Sequence, residues 1–118
     1  MIDAPVSAVP FDDCDYSLSQ ELLYHGAPYT GAVVEYGPQG QVVSLQWFRD
    51  GIPDGRSCIW THAGQLREEA EYALGLRKRL RRWHPNGQLS LEILYDARAR
   101  VVQSSAWDET GTPVDPIG

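Results

Sequence analysis

The amino-acid sequence predicts an all-β fold: a single-layer antiparallel β-meander of about four hairpin repeats, each roughly 24 residues long. Three observations carry that reading. Gly40, Gly64, Gly87 and Gly111 recur at intervals of 24, 23 and 24 residues. An aromatic stands four residues before each glycine, at Tyr36, Trp60, Trp83 and Trp107. A second aromatic follows the first three glycines by eight residues, at Phe48, Tyr72 and Tyr95, and Tyr24 extends that series upstream.

Residues 1–17 lack the register and are expected to form an N-terminal arm or cap over the first strand. Residues 18–111 make the repeat sheet, and residues 112–118, with Pro113 and Pro116, a C-terminal tail. Between turn signals the chain runs about five to eight residues, a length that suits strands. Alternation puts Leu89, Leu91, Ile93 and Tyr95 on one face. In the preceding repeat Leu66, Ala70 and Tyr72 take that face, while Arg67, Glu69 and Glu71 take the other. Residues 65–74 are good helix formers by propensity. The register nevertheless aligns them with Val-Val-Ser-Leu-Gln-Trp-Phe at 42–48, so they too are read as strand.

The turns follow the same logic. Asn86-Gly87 reads as a tight hairpin turn with both residues at positive φ. Asp50-Gly51 and Asp54-Gly55 punctuate the other connection. Arg79 stands where Gly55 stands one repeat earlier, so a bulge or altered turn is expected around residues 76–80. A common register aligns Tyr36, Trp60, Trp83 and Trp107 in one column and Tyr24, Phe48, Tyr72 and Tyr95 in a second. Neighbours within a column are expected to lie roughly 9–10 Å apart, two strand spacings.

A chain of 118 residues allows one domain. With 42% hydrophobic and 22% charged residues it is not broadly disordered. Neither a membrane-spanning run nor a secretory leader is evident, so the expected location is cytoplasmic. Cys14 and Cys58 belong to no paired motif and are expected to be free thiols. The net charge is −6, and Asp3, Asp12, Asp13, Asp15 and Glu21 all fall in residues 1–30, which contain no Lys or Arg. Such an acidic balance disfavours nucleic acid and favours a basic partner.

No catalytic constellation emerges, and the chain is read as a non-enzyme. His25, His62 and His84 share no repeat position and have no metal-ligand spacing to Cys14 or Cys58, so neither metal nor cofactor is expected. Glu68, Glu69 and Glu71 suit a solvated strand face better than an acid/base pair. The glycines stand singly and build no phosphate loop.

Two surfaces are candidates for partner contact. Trp47 lies beside Phe48, on the opposite face, at a position held by Glu71 and Leu94 in later repeats, and is a candidate anchor. The carboxylates of Asp12, Asp13, Asp15, Glu35, Glu69 and Glu71 would steer a basic protein toward it. The second candidate is the run Arg77, Lys78, Arg79, Arg81 and Arg82, an alternative site for acidic lipid headgroups or phosphates. Against it, the same cations suit pairing with glutamates on neighbouring strands or guarding a sheet edge.

Tyr-His-Gly-Ala-Pro-Tyr-Thr-Gly at 24–31 resembles the opening repeat of bacterial MORN-repeat-variant proteins. The stretches Asp50 to Leu66 and Gly75 to Leu89, with their Trp-x-x-x-Gly-Gln-Leu endings, resemble the interior units of that family, in its YwqK-like antitoxin branch. The likeness covers about residues 22–111. It implies a repeat sheet and a small cytoplasmic antitoxin or immunity-like protein that neutralises a cognate toxin, encoded nearby, by direct contact. The alternative it implies is a membrane- or scaffold-associated repeat module. An open sheet also leaves room for an edge-to-edge homodimer.

Overall fold

The computed structural model describes residues 4–115. The predicted meander is present. Strands β5 (Gly31–Tyr36), β6 (Val42–Arg49), β7 (Ile52–Trp60), β8 (Leu66–Ala73), β9 (Leu76–Trp83), β10 (Leu89–Tyr95) and β11 (Val101–Trp107) follow one another in an antiparallel sheet. Its two flanks are short: β1 (Val9–Pro10) runs parallel to β5, and β12 (Pro113–Val114) is antiparallel to β11. The nine-stranded sheet does not close into a barrel. The helix-prone stretch after Gln65 is strand β8. Here cross-strand pairing on both sides outweighs local propensity.

A second sheet holds β2 (Cys14–Tyr16), β3 (Leu22–Tyr24) and β4 (Ala27–Pro28), joined to β1 by a 3-10 turn at Phe11–Asp13. Tyr24 therefore leaves the expected column with Phe48, Tyr72 and Tyr95, because it belongs to this smaller sheet. The two sheets meet at Gly51. Leu22 N–H donates to the Gly51 carbonyl at 2.8 Å, and Gly51 N–H donates to the Tyr29 carbonyl at 2.8 Å. A Cβ on Gly51 would stand 2.9 Å from the Leu22 carbonyl oxygen, so only glycine permits this approach. Leu22, fully buried, packs with Val33 and Phe48 on what we call the front face. On the back face, Ala4 and Ala8 pack against Val34, Val42, Cys58 and Trp60. The N-terminal residues thus cover both faces of the first strands.

A repeated irregularity corrects the expected face assignment. The register skips Val43 between β5 and β6, Arg67 between β7 and β8, and Ser90 between β9 and β10. Each is the third residue after its turn glycine. A bulge of this kind reverses the alternation for whatever precedes it. Leu66 accordingly joins Trp60 on the back face, not Ala70 and Tyr72 on the front. Leu89 pairs with Trp83 in the same way, apart from Leu91 and Ile93. The expected bulge at 76–80 is present at Lys78, which the β8–β9 register leaves without a partner.

Tyr36, Trp60, Trp83 and Trp107 each end their strand, as the period requires. Their rings do not contact one another among the described residues. Val42, Leu66 and Leu89, their cross-strand partners, stand between them.

The turns also differ from expectation. Asn86-Gly87 is not a two-residue turn with both φ positive: only Gly87 has positive φ, within a loop closed by His84 N–H to the Gln88 carbonyl. The tight pairs are His25-Gly26, Asp50-Gly51 and Leu74-Gly75, each with both φ positive. Gly55 lies inside β7, where its φ of 100° lets the strand bulge past Trp47. In place of a fourth tight pair the chain makes a wider loop at 96–100. The Asp96 carboxylate accepts the backbone N–H groups of Arg98 and Arg100 there, which hold its pKa below the usual carboxylate range.

Two changes test this account. Leu22→Ala should lower unfolding free energy by about 3 kcal/mol in urea titration, with one transition for both sheets. Leu74 holds φ 50° at an exposed turn, so Leu74→Asn should raise stability by about 1 kcal/mol.

Candidate functional site

The carboxylates of the N-terminal end are brought together by the way the chain turns over β5. Pro10 ends β1, and the 3-10 turn that follows lays Phe11 and Asp12 beside Val34, Glu35 and Tyr36. These six residues line a depression of about 110 Å³. Asp13 and Asp15 flank Cys14 and, after burial, help push its thiol pKa up. Burial pushes the Tyr16 phenol up as well, with Cys14 and then Glu35 adding to the effect. Among the described residues Asp12, Asp13, Asp15 and Glu35 take part in no ion pair. Phe11, Tyr16 and Tyr36 are exposed around them, Tyr16 and Tyr36 by 53% and 54%. The end of the sheet is acidic and aromatic together.

Sequence reasoning did not single out these aromatics for binding. Tyr36 occupies the first position of the structural column, but no earlier repeat lies beside it, so its ring stays open. The available signal was its terminal place in the series.

The other members of the acidic set lie elsewhere. Glu69, on the back face, is only 9% exposed and is held by Arg56. Arg81 of β9 sits directly opposite both Glu69 of β8 and Glu92 of β10, and pairs with Glu92 at 2.7 Å. Glu71 pairs with Arg79 at 2.8 Å. Hydrogen bonding to their glutamates raises the pKa of Arg56 and Arg79. Trp47 is 38% exposed and pairs with Ala32, on the face opposite Glu35 and its partner Ser44. The tryptophan and the N-terminal carboxylates therefore do not form one surface.

The basic run is divided in the same manner. Arg79 and Arg81 project on the back face, while Arg77, Leu80 and Arg82 share the front. Arg82 pairs with Glu68 at 2.7 Å. Arg77 donates to the Tyr72 hydroxyl at 3.0 Å, with its guanidinium 5.6 Å from that ring's centre, and the phenols of Tyr72 and Tyr95 raise its pKa. Lys78 sits at the bulge. The five cations make no single patch.

Cys14 and Cys58 are free, and burial raises the Cys58 thiol pKa. Among the described residues no three His, Cys, Asp or Glu side chains are placed to hold a metal ion. No helix there is long and apolar enough to cross a membrane. No family model matches the chain, and no curated protein or solved structure matches it either.

The charge ladder has a measurable consequence. Arg81→Ala leaves Glu92 without its partner, while Glu69 keeps Arg56, and should cost about 2 kcal/mol in chemical denaturation. Arg82→Ala, at a pair with the arginine more than half exposed, should cost less than about 1 kcal/mol.

Proposed function

We propose that the protein is a MORN-repeat-like, non-enzymatic antitoxin or immunity-like protein that neutralises a basic toxin by direct contact. The observation that carries this reading is the segregation of charge. Glu68, Glu69, Glu71 and Glu92 are engaged by arginines within the sheet, whereas Asp12, Asp13, Asp15 and Glu35 are left to solvent beside exposed aromatic rings. Unpaired carboxylates speed encounter with a cationic surface, and aromatic rings supply contact area once the partner has docked. Lysine or arginine side chains of the toxin would meet the carboxylates of Asp12 and Glu35 and the rings of Phe11 and Tyr36. The free thiols suit a reducing cytoplasm.

The pairing of Arg79, Arg81 and Arg82 within the sheet supports this reading over an acidic lipid surface. So does the strain of bringing an anionic membrane to a protein of net charge −6.

Calorimetry with the product of the adjacent gene, coupled to growth rescue of cells expressing it, tests the proposal. Micromolar or tighter binding that weakens with salt is expected. The double reversal Asp12→Lys with Glu35→Lys should cut the association rate at least tenfold at low salt, while Trp47→Ala on the other face changes it less than twofold. Absence of both binding and rescue would falsify the proposal.

A further inference from the structure

Arg56, Arg79, Arg81 and Arg82 are each held by a glutamate of a neighbouring strand. Arg67 is not: it is exposed at the bulge of β8 and, among the described residues, takes part in no ion pair. It lines a depression of about 440 Å³ that passes over Ile59 and Ser44 to Glu35. Glu35, Ser44, Ile59 and Glu68 are successive cross-strand neighbours, so this trough runs across the strands on the front face. Its two ends carry opposite charge. Three strand spacings separate them, about 14 Å.

A second depression, of about 240 Å³, opens from Arg67 toward the turns, between the loops 61–65 and 84–88. Leu66, Trp83 and Pro85 wall it. Elsewhere along this margin successive loops are tied together. Gln41 Nε2–H donates to the His62 carbonyl at 3.3 Å, and Asn86 Nδ2–H donates to the Glu109 carbonyl at 2.8 Å. Among the described residues no hydrogen bond joins loop 61–65 to loop 84–88, and the apolar walls between them stay open.

We infer that this site takes the C-terminal end of an extended polypeptide whose last side chain is aliphatic or aromatic and which carries a lysine or arginine four residues earlier. Charge and reach select that occupant. A cation and an anion about 14 Å apart match Glu35 and Arg67, and an extended chain covers that distance in about four residues. A chain terminus holds a carboxylate and a side chain on one Cα. Arg67 can therefore bind the carboxylate through paired N–H groups while Leu66 and Trp83 receive the side chain. An internal aspartate or glutamate has no apolar group of its own to fill the cleft. This inference rests on the antitoxin reading for its partner, a basic protein, and names the part of that partner that docks.

Fluorescence polarisation of a labelled Lys-Ala-Ser-Ala-Leu peptide with a free C-terminus should give a dissociation constant of roughly 100 μM or tighter. Amidating the C-terminus, or Arg67→Met, should weaken binding about tenfold, and replacing the peptide lysine by alanine about threefold. Arg98→Ala, in the loop at 96–100, should leave binding within about twofold, and Arg67→Met should leave the thermal melt unchanged. Equal binding of acid and amide overturns the inference, as does parent-like binding by Arg67→Met. So does a failure to bind any peptide ending in Leu, Phe, Val or Met at about 1 mM. N-acetyl-leucine competing as well as the peptide also overturns it, because the site would then serve a small apolar acid. Two outcomes separate the inference from the reading it rests on. If the product of the adjacent gene binds and Arg67→Met leaves that binding unchanged, the inference falls and the antitoxin reading stands. If the peptide binds through Arg67 and that product does not bind, the inference stands and the antitoxin reading falls.

Discussion

A sheet with no second layer over most of its area must find its burial within each face, and the rest of this structure follows from that constraint. Ala70 and Leu80 are 4% and 3% exposed although, among the described residues, no element outside their own sheet is stacked on them. They are opposite one another in register, between the Tyr72–Arg77 pair and the Glu68–Arg82 pair. Long amphipathic side chains of those flanking pairs cover them with their stems while keeping charged ends in water. Such cover works only if equivalent positions on alternate strands stay aligned. A strict repeat is the means of keeping them aligned over several strands.

The bulges at Val43, Arg67 and Ser90 serve the same need. Without them Val42, Leu66 and Leu89 would fall on the front face, away from Tyr36, Trp60 and Trp83. With them, the tryptophan positions and their aliphatic partners go to the back face near the turns, while Phe48, Tyr72, Leu80 and Ile93 stay in front. Both faces then carry a narrow apolar band. This explains how a protein of this size can keep a sheet open without a broad greasy side.

The period and the strand at β8 were legible because spacing survives whatever the side chains do locally. Face assignment was not, since a single unpaired residue inverts it and no residue type marks the position: Val43, Arg67, Lys78 and Ser90 have nothing chemical in common. The Asn86-Gly87 turn misled for a similar reason. That dipeptide favours a tight pair, but the Asn86 side chain accepts from Gln88 N–H and donates to the Glu109 carbonyl, which stabilises a longer loop tied to the next repeat. At the acidic end, the clustering of carboxylates in sequence was plain. Which aromatics stand beside them depends on the path of the 3-10 turn at Phe11–Asp13, and spacing alone does not encode it.

Charge is used twice, in opposite ways, and sequence distance does not separate the two uses. In the middle of the sheet Arg56, Arg79, Arg81 and Arg82 sit one strand from glutamates, and alternation ensures that each meets carboxylates of its own face. A run that looks like a cationic patch becomes a lattice of neutralised pairs, because a strand splits adjacent residues between faces and its neighbours supply the opposite sign. At the N-terminal end the chain has no arginine or lysine to offer before Arg49, so the field of Asp12, Asp13, Asp15 and Glu35 reaches solvent. A field of several unpaired carboxylates extends about one Debye length, roughly 8–10 Å, at physiological salt. The paired glutamates of the interior strands add little to it, as each carboxylate is cancelled by a cation in contact. Among the described residues unpaired carboxylates also stand at the far end of the sheet, at Asp108, Glu109 and Asp115. The long-range field therefore comes from the two ends, while the short-range pairs hold the centre of the sheet in register.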